Sequence, residues 1–365
     1  MTAHVWRTVA LPACNKTHIR SVASNMFNGT RASFCRSLNV AVKPRFLWFG
    51  VTDLCNSRCA TCNIWRMSPC PNPLSPLDLE KILSDPLWNC VEYLINSGGE
   101  PSLRSDLKQI LHIEHEKLPG ARLQLSTNGI LVERILDAVG YVIEELGCPI
   151  DVGVSLDGVG KSHDVVRGVP GNFERVDQLL HELSIIRKIH PDLLNVTVGS
   201  TLTDQTVRSS GELMSYAKQL NIPFMFHWFN QSSFYGNTNE KNLASSIART
   251  AIESTMPCSL YRDMWIQSLQ TGKIPTFNCF ALYSFLVLKC NGDIAPCLSL
   301  WDTVVGNMRY SPPSKVWSNR RAQNARKIVK GCSGCLNSWG VSWSLRTTYY
   351  PELFHKTKRR LGFAH

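Results

Sequence analysis

A chain of 365 residues, 44% hydrophobic and 18% charged, has the length for one large α/β domain with a small addition and the composition of an ordinary globular protein. No apolar run approaches the ~20 residues that cross a bilayer, so no transmembrane segment is expected. The net charge of +11 resides in the ends: residues 1–45 hold seven Lys/Arg and no acid, 315–365 hold eleven against the single Glu352, and 46–314 carry −6. A net acidic body is not a polyanion-binding surface, which removes nucleic acid from the expected partners.

In chain order, residues 1–45 show no clear amphipathic period and no continuous apolar signal core, and they read as a basic N-terminal extension. Their acid-free, Arg- and Ser-containing composition is also that of an organellar transit peptide, so the expected location is the cytoplasm, with an organelle as the alternative. Both are reducing, and 14 cysteines there point to metal binding or catalysis rather than disulfides. From residue 46, short apolar runs at 46–52, 91–96, 121–126, 150–156, 194–202 and 224–229 predict buried parallel strands. Between them 75–84, 103–117, 131–146, 172–189 and 206–220 predict helices, and the alternation requires a parallel sheet, open or curled into a partial barrel. Residues 46–240 thus form the core, 241–275 a helical connector, 276–345 a small Cys-rich domain with a hairpin at Asn291-Gly292, and 346–365 a basic tail.

Directly after the first predicted strand stand Cys55, Cys59 and Cys62. Three thiolates on one loop can wrap a face of a [4Fe-4S] cubane and leave one iron without a protein ligand. Zinc is the alternative, but structural zinc is closed by four ligands and this loop supplies three. Gly98-Gly99-Glu100-Pro101 closes the second strand; glycine permits close backbone approach, and Glu100 offers an acceptor for an ammonium. Ser126 and Asn128 end the third strand and Ser155 and Asp157 the fourth, at the sheet edge where α/β proteins bind ligands. Arg167 lies in the next loop, beside a His163 that reads as a capping or surface group. On the sixth strand His227 reads as a core histidine, with the inward face undecided.

These motifs, in this order, resemble the radical S-adenosylmethionine (SAM) superfamily. The resemblance implies a partial (β/α)6 barrel whose open iron chelates SAM and splits it reductively to a 5′-deoxyadenosyl radical, which abstracts hydrogen from substrate. It further implies that Gly98, Gly99, Glu100 and Pro101 receive the SAM amino group, that Arg167 pairs with its carboxylate, and that Ser155 and Asp157 meet the ribose. Where the family often has an aromatic residue this chain has Thr61, so adenine contacts fall to Ile64 or Trp65.

Cys279, Cys297, Cys332 and Cys335 form a second group that can fully ligate a cluster, with a four-Cys zinc site as the alternative. It resembles the SPASM/twitch extension of the same superfamily; with no cysteine in 336–345, one auxiliary [4Fe-4S] cluster is expected. Cys290 reads as a buried hairpin residue or, more sharply, as a hydrogen donor that would make the enzyme an epimerase. Cys14, Cys35, Cys70, Cys90, Cys148 and Cys258 show no ligand spacing. The expected function is oxidation of a small hydroxylated or sugar-like substrate, with the auxiliary cluster as electron acceptor. A peptide maturase, an epimerase and a non-catalytic iron-sulfur or zinc scaffold are the alternatives. The expected electron donor is an external carrier such as flavodoxin or ferredoxin.

Overall fold

The computed structural model describes residues 18–237, 249, 252–253, 259–332 and 334–348. Cys14, Cys258, Ser333, the first 17 residues, most of the connector before Ser259 and the tail after Thr348 lie outside the described residues. Six parallel strands appear where the apolar runs predict them: β1 (Phe46–Thr52), β2 (Tyr93–Gly98), β3 (Arg122–Thr127), β4 (Ile150–Ser155), β5 (Leu194–Thr201) and β6 (Phe224–His227). The helices between them are α2 (Pro76–Leu83), α3 (Leu107–Lys117), α4 (Val132–Gly140), α5 (Lys161–Arg167), α6 (Asn172–Ile189), α7 (Asp204–Arg208) and α8 (Ser210–Gln219). The α4 helix continues as one π turn, Tyr141–Glu145. This is the α/β partial barrel expected of a radical SAM core.

Three features go beyond the sequence reading. Residues 1–45 carried no predicted element, yet His18–Ser37 is a 20-residue helix, α1. The hairpin strands β7 (Phe285–Leu288) and β8 (Asp293–Ala295), with β9 (Gly306–Asn307), continue the same sheet, in the order β6-β5-β4-β3-β2-β1-β7-β8-β9. In it β7 runs parallel to β1, pairing Phe46 with Phe285 and Phe49 with Leu288. Finally, α9 (Leu260–Thr271), α10 (Pro313–Ser318), α11 (Arg320–Lys330) and α12 (Ser338–Thr348) complete the C-terminal part.

Strand alternation divides the core into two layers. Leu47, Phe49, Leu94, Leu123, Val152, Val196 and Phe226 pack outward against the helices. Phe46, Trp48, Ile95, Phe285 and Val287 pack inward, joined by Phe234, Trp301 and Trp343. The inner face of β3 to β6 is instead small and polar, with Gln124, Ser126, Gly153, Ser155, Thr197, Gly199 and His227.

Candidate functional site

The loop after β1 carries Cys55, Cys59 and Cys62 and is held from two sides. The amides of Arg58 and Ala60 donate to the carbonyls of Arg167 (2.9 Å) and Val166 (2.8 Å), which a helix end leaves without intrahelical partners. Opposite, Asn63 N donates to Tyr235 O (2.6 Å) and Asn237 Nδ2 to Thr61 O (3.1 Å). Gly168 ends α5 at φ +64°, and a Cβ there would lie 2.4 Å from Arg58 O, so the loop fits only against a bare backbone.

The thiols suit an iron-sulfur cluster. Burial first, then the nearness of the other thiols, raises Cys55 to about 11 and Cys62 to about 12. Three crowded thiols ionise together only where positive charge is supplied, as a metal centre does. Arg167 adds some, with Nη1 3.5 Å from Cys59 Sγ, and Asn128 Nδ2 lies 3.9 Å from Cys55 Sγ. Among the described residues no three His, Cys, Asp or Glu side chains converge on a single-ion site.

Gly98 and Gly99 bind the end of β2 to the start of this loop: Gly99 N donates to Thr52 O (2.6 Å) and Glu100 N to Leu54 O (2.7 Å). A Cβ on Gly98, which has φ +116°, would lie 2.2 Å from Thr52 O, and one on Gly99 2.0 Å from Leu54 O. Glu100 is buried, and four donors fill its carboxylate: Ser102 N (3.1 Å), Ser102 Oγ (2.6 Å) and Thr127 Oγ1 (2.8 Å) on Oε1, and Asn128 N (2.7 Å) on Oε2. Burial still lifts its pKa above the ordinary carboxyl value. The side chain therefore clamps the β2 and β3 loops, and the buried Pro101 starts a 3-10 turn beside it. Asn128 extends the clamp by donating from Nδ2 to Asn56 Oδ1 (2.7 Å).

Asp157 is likewise committed. Its Oδ1 accepts from Ser200 Oγ (2.8 Å) and Thr201 N (2.9 Å), and its Oδ2 forms an ion pair with Arg167 Nε at 2.7 Å. Burial opposes the Arg167 charge, but Asp157 and the Cys59 and Cys55 sulfurs outweigh it and hold the guanidinium protonated. His163 is fully buried, which corrects the surface reading: the Asp157 amide donates to its Nδ1 (3.1 Å).

Ser155 and Ser126 lie on the inner face near Gly153, where a Cβ would meet Gln124 Nε2 at 3.2 Å and Ser126 Oγ at 3.9 Å. His227 shares that face, since a Cβ on Gly199 would lie 2.6 Å from its Nε2. Its Nδ1 is 3.3 Å from Ser338 Oγ, its ring stacks on Trp339, and burial lowers its pKa to about 4. Ile64 is buried in the inner cluster, and Trp65 is flanked by the guanidinium groups of Arg58 and Arg66. Thr127, Ser200, Asn237 and the Ser338-Trp339 pair belong to the site but carry no sequence signal beyond polarity.

The structure also gathers the C-terminal cysteines. Cys297 opens the turn after β8, Cys332 follows α11, and Gly334 at φ +105° swings Cys335 back. Arg36 Nε of α1 donates to Cys279 O (2.8 Å). Burial raises all three of Cys279, Cys297 and Cys335, the last to about 12; Cys279 lies near enough to raise the other two further, and Cys332 to raise Cys279 and Cys335. This is again a thiol set that needs a cationic centre. Cys290 stands apart with Cys70 and Asp53 on a cavity of about 420 Å3, its thiol raised by burial and by those two neighbours.

An α/β partial barrel with a three-cysteine loop after its first strand, joined to a four-cysteine C-terminal group, is the architecture of SAM-cleaving iron-sulfur enzymes. Residues 50–213 match the radical SAM superfamily and residues 279–336 the SPASM iron-sulfur cluster-binding domain, and the chain belongs to that superfamily. It is similar to the Fe-coproporphyrin III synthase of Methanosarcina barkeri, 29% identical over half of this chain, and it spans only 42% of that protein's length. It is also similar to the AdoMet-dependent heme synthase of the same organism, 24% identical over 80% of this chain and 88% of that protein. Among solved structures, Streptococcus suis SuiB bound to S-adenosylmethionine aligns with TM-score 0.63 at 18% identity, covering 87% of this chain and 75% of SuiB. AnSMEcpe with bound AdoMet aligns at 0.58 and 16%, covering 78% and 80%. SAM, a SAM-binding [4Fe-4S] cluster and an auxiliary cluster are thereby its cofactors. Among the described residues no helix is long and apolar enough to cross a membrane.

Proposed function

We propose that the chain oxidises an organic substrate held on the inner face of its barrel, between a cluster on Cys55, Cys59 and Cys62 and an auxiliary cluster on Cys279, Cys297, Cys332 and Cys335. One observation carries this reading: Cys55 and Cys62 from one group, and Cys279 and Cys297 from the other, pack against a single inner cluster of Trp48, Phe234, Phe285 and Trp343. When bound, SAM and its cluster supply a hydrogen-abstracting 5′-deoxyadenosyl radical, and the second cluster supplies an acceptor for the electron that oxidation releases.

The chain's own residues position these groups. Glu100 spends most of its acceptor capacity on the clamp, three bonds on Oε1 and one on Oε2, so it positions the half-buried Gly98-Gly99 backbone that receives the amino group of SAM, with Pro101 beside it. Arg167, oriented by Asp157, takes the carboxylate as a planar fork. Ser126, Asn128 and Ser155 line the approach to the ribose, while Asp157 acts through Arg167.

The first substrate class is small and hydroxylated or sugar-like, because Gly153 and Gly199 clear the inner face beside Ser126, Ser155, Thr197 and His227. A tetrapyrrole is the second, favoured by the aromatic half of the same face and by relatives named as heme and coproporphyrin synthases. Cys290 is 8% exposed and turned toward Cys70 and Asp53, which favours oxidation over epimerisation. The test is anaerobic reconstitution with iron counting and mass spectrometry of 5′-deoxyadenosine. About eight irons per chain are expected, with about half lost when Cys55, Cys59 and Cys62 become Ala. Absence of 5′-deoxyadenosine from reduced, fully loaded protein would refute the proposal.

A further inference from the structure

The strand β7 brings to the inner face one cation that the rest of the site does not use. Phe285 and Val287 point inward, and strand alternation carries Lys289, directly after the strand, to the same side. It stands at the carboxyl end of a strand parallel to β1, the edge of an α/β sheet where ligands bind. Its ammonium lies 4.3 Å from the centre of the Trp301 ring, and Trp301 packs in turn on Trp48 (6.2 Å between ring centres) and Phe234 (4.7 Å). Those two rings belong to the wall that both cysteine groups abut.

Lys289 is 8% exposed, and among the described residues its Nζ has neither an ion pair nor a hydrogen bond, only the Trp301 ring. The charged groups around it are engaged elsewhere. Asp293 accepts from Asn291 Nδ2 (2.8 Å) and Asn307 Nδ2 (2.9 Å), and Asp53 accepts from Cys70 N (2.8 Å). Arg309 donates to Asn72 O (3.0 Å) and lies 3.5 Å from Asp78. Lys289 lines the same cavity of about 420 Å3 as Asp53, Cys70, Cys290 and Arg309. Burial makes its charged form costly, and Asp293 and Asp302 offset that only in part. A buried cation that its own chain leaves without a partner is the form a binding group takes.

We propose that Lys289 seats a carboxylate of the substrate, which makes the substrate an organic acid. The proposal rests on the reading that the inner face holds the substrate, and it narrows that reading to sugar acids and propionate-bearing tetrapyrroles. Charge balance selects carboxylate over phosphate. One free ammonium matches one negative charge, whereas a phosphate dianion would set a second against Asp53, Asp293 and Asp302. Lysine suits the task as a compact point charge with three donors, and the Trp301 face holds it from one side while leaving N–H groups for the ligand.

The test uses the full-length, cluster-loaded enzyme with SAM and two probes: D-glucuronate, followed by isothermal titration, and coproporphyrin III, followed by quenching of its fluorescence. The acid that fits should bind about 10-fold or more tightly to the unaltered enzyme than to Lys289→Met, which keeps the length and the ring contact without the charge. Lys289→Arg should restore part of the loss. Such dependence with glucuronate assigns a sugar acid, and with coproporphyrin III a tetrapyrrole. Inorganic phosphate at the same concentration should not compete. Where Lys289→Met fails to retain its iron, the unaltered enzyme decides, since glucuronate should bind more tightly than the uncharged glucuronamide, and coproporphyrin III more tightly than its tetraamide, by the same factor. The proposal is overturned if neither acid binds the unaltered enzyme, if the acid that binds is held equally by Lys289→Met or no better than its amide, or if phosphate displaces it. Absence of dithionite-driven 5′-deoxyadenosine from the unaltered enzyme would instead remove the oxidation reading, with Lys289-dependent binding still measurable.

Discussion

Arg167 and Asp157 form a buried ion pair, Nε to Oδ2 at 2.7 Å, and the same guanidinium reaches the Cys59 sulfur at 3.5 Å. One cation thus ties the end of β4 to the cysteine loop. Asp157→Asn leaves that charge buried without its partner, which should cost about 3–5 kcal/mol. The expected result is a lower melting temperature and reduced iron retention in anaerobic thermal melts. An unchanged melt would mean that solvent or another carboxylate reaches Arg167.

Glu100→Gln tests the clamp. With four donors on the two carboxylate oxygens, an amide must turn its NH2 toward at least one of them. A loss of about 1–3 kcal/mol is expected in urea unfolding. Weaker SAM binding should accompany it, since Asn128 and the Gly98-Gly99 backbone lose their shared support.

Gly98→Ala and Gly99→Ala should abolish SAM binding in isothermal titration, because the new Cβ would sit 2.2 Å from the Thr52 carbonyl oxygen at the end of β1 in the first and 2.0 Å from that of Leu54 in the cysteine loop in the second. Gly120→Ala, where no atom lies within 4 Å, is the control and should titrate as the unaltered protein does.

A pH effect follows from His163. Burial, and then the like charge of Arg167, lower its pKa from 6.5 to about 4 against the opposing pull of Asp157 and Asp164. The folded state keeps the ring neutral with Nδ1 accepting from Asp157 N–H, while the unfolded chain takes up a proton below pH 6.5. Its contribution is therefore present above pH 6.5 and is lost as pH falls toward about 4, by up to ~3 kcal/mol. Urea unfolding of the apoprotein at about pH 7.5 and about pH 5 should show that loss, and His163→Gln should show less of it.

The sheet was legible because buried parallel strands are short, apolar and bounded by polar residues, and the β1 run FLWFGVT is read that way without ambiguity. The Cys55, Cys59 and Cys62 triplet was legible because its ligand spacing is local, as was the Cys332/Cys335 pair, whereas Cys279 and Cys297 reach that pair only through the fold. Helix α1 escaped for a physical reason: it meets α12 through Gly29, whose missing side chain permits close backbone approach, while Phe27 and Phe34 face outward, so the apolar period that marks a buried helix is absent. The parallel pairing of β7 with β1 escaped because nothing within either strand encodes a partner so distant in sequence. Glu100 and Asp157 were placed correctly at the strand ends, but the donors that fill their carboxylates come from other loops.

That same β7 pairing sets a schedule for biogenesis. The side of β1 that β7 will cover remains an open edge until roughly 240 further residues have been made, which at ribosomal rates of ~5–20 residues per second is on the order of ten seconds or longer. Until then that side of β1 carries an unpaired row of amides and carbonyls flanked by Trp48 and Phe49, the kind of open edge that templates mispairing.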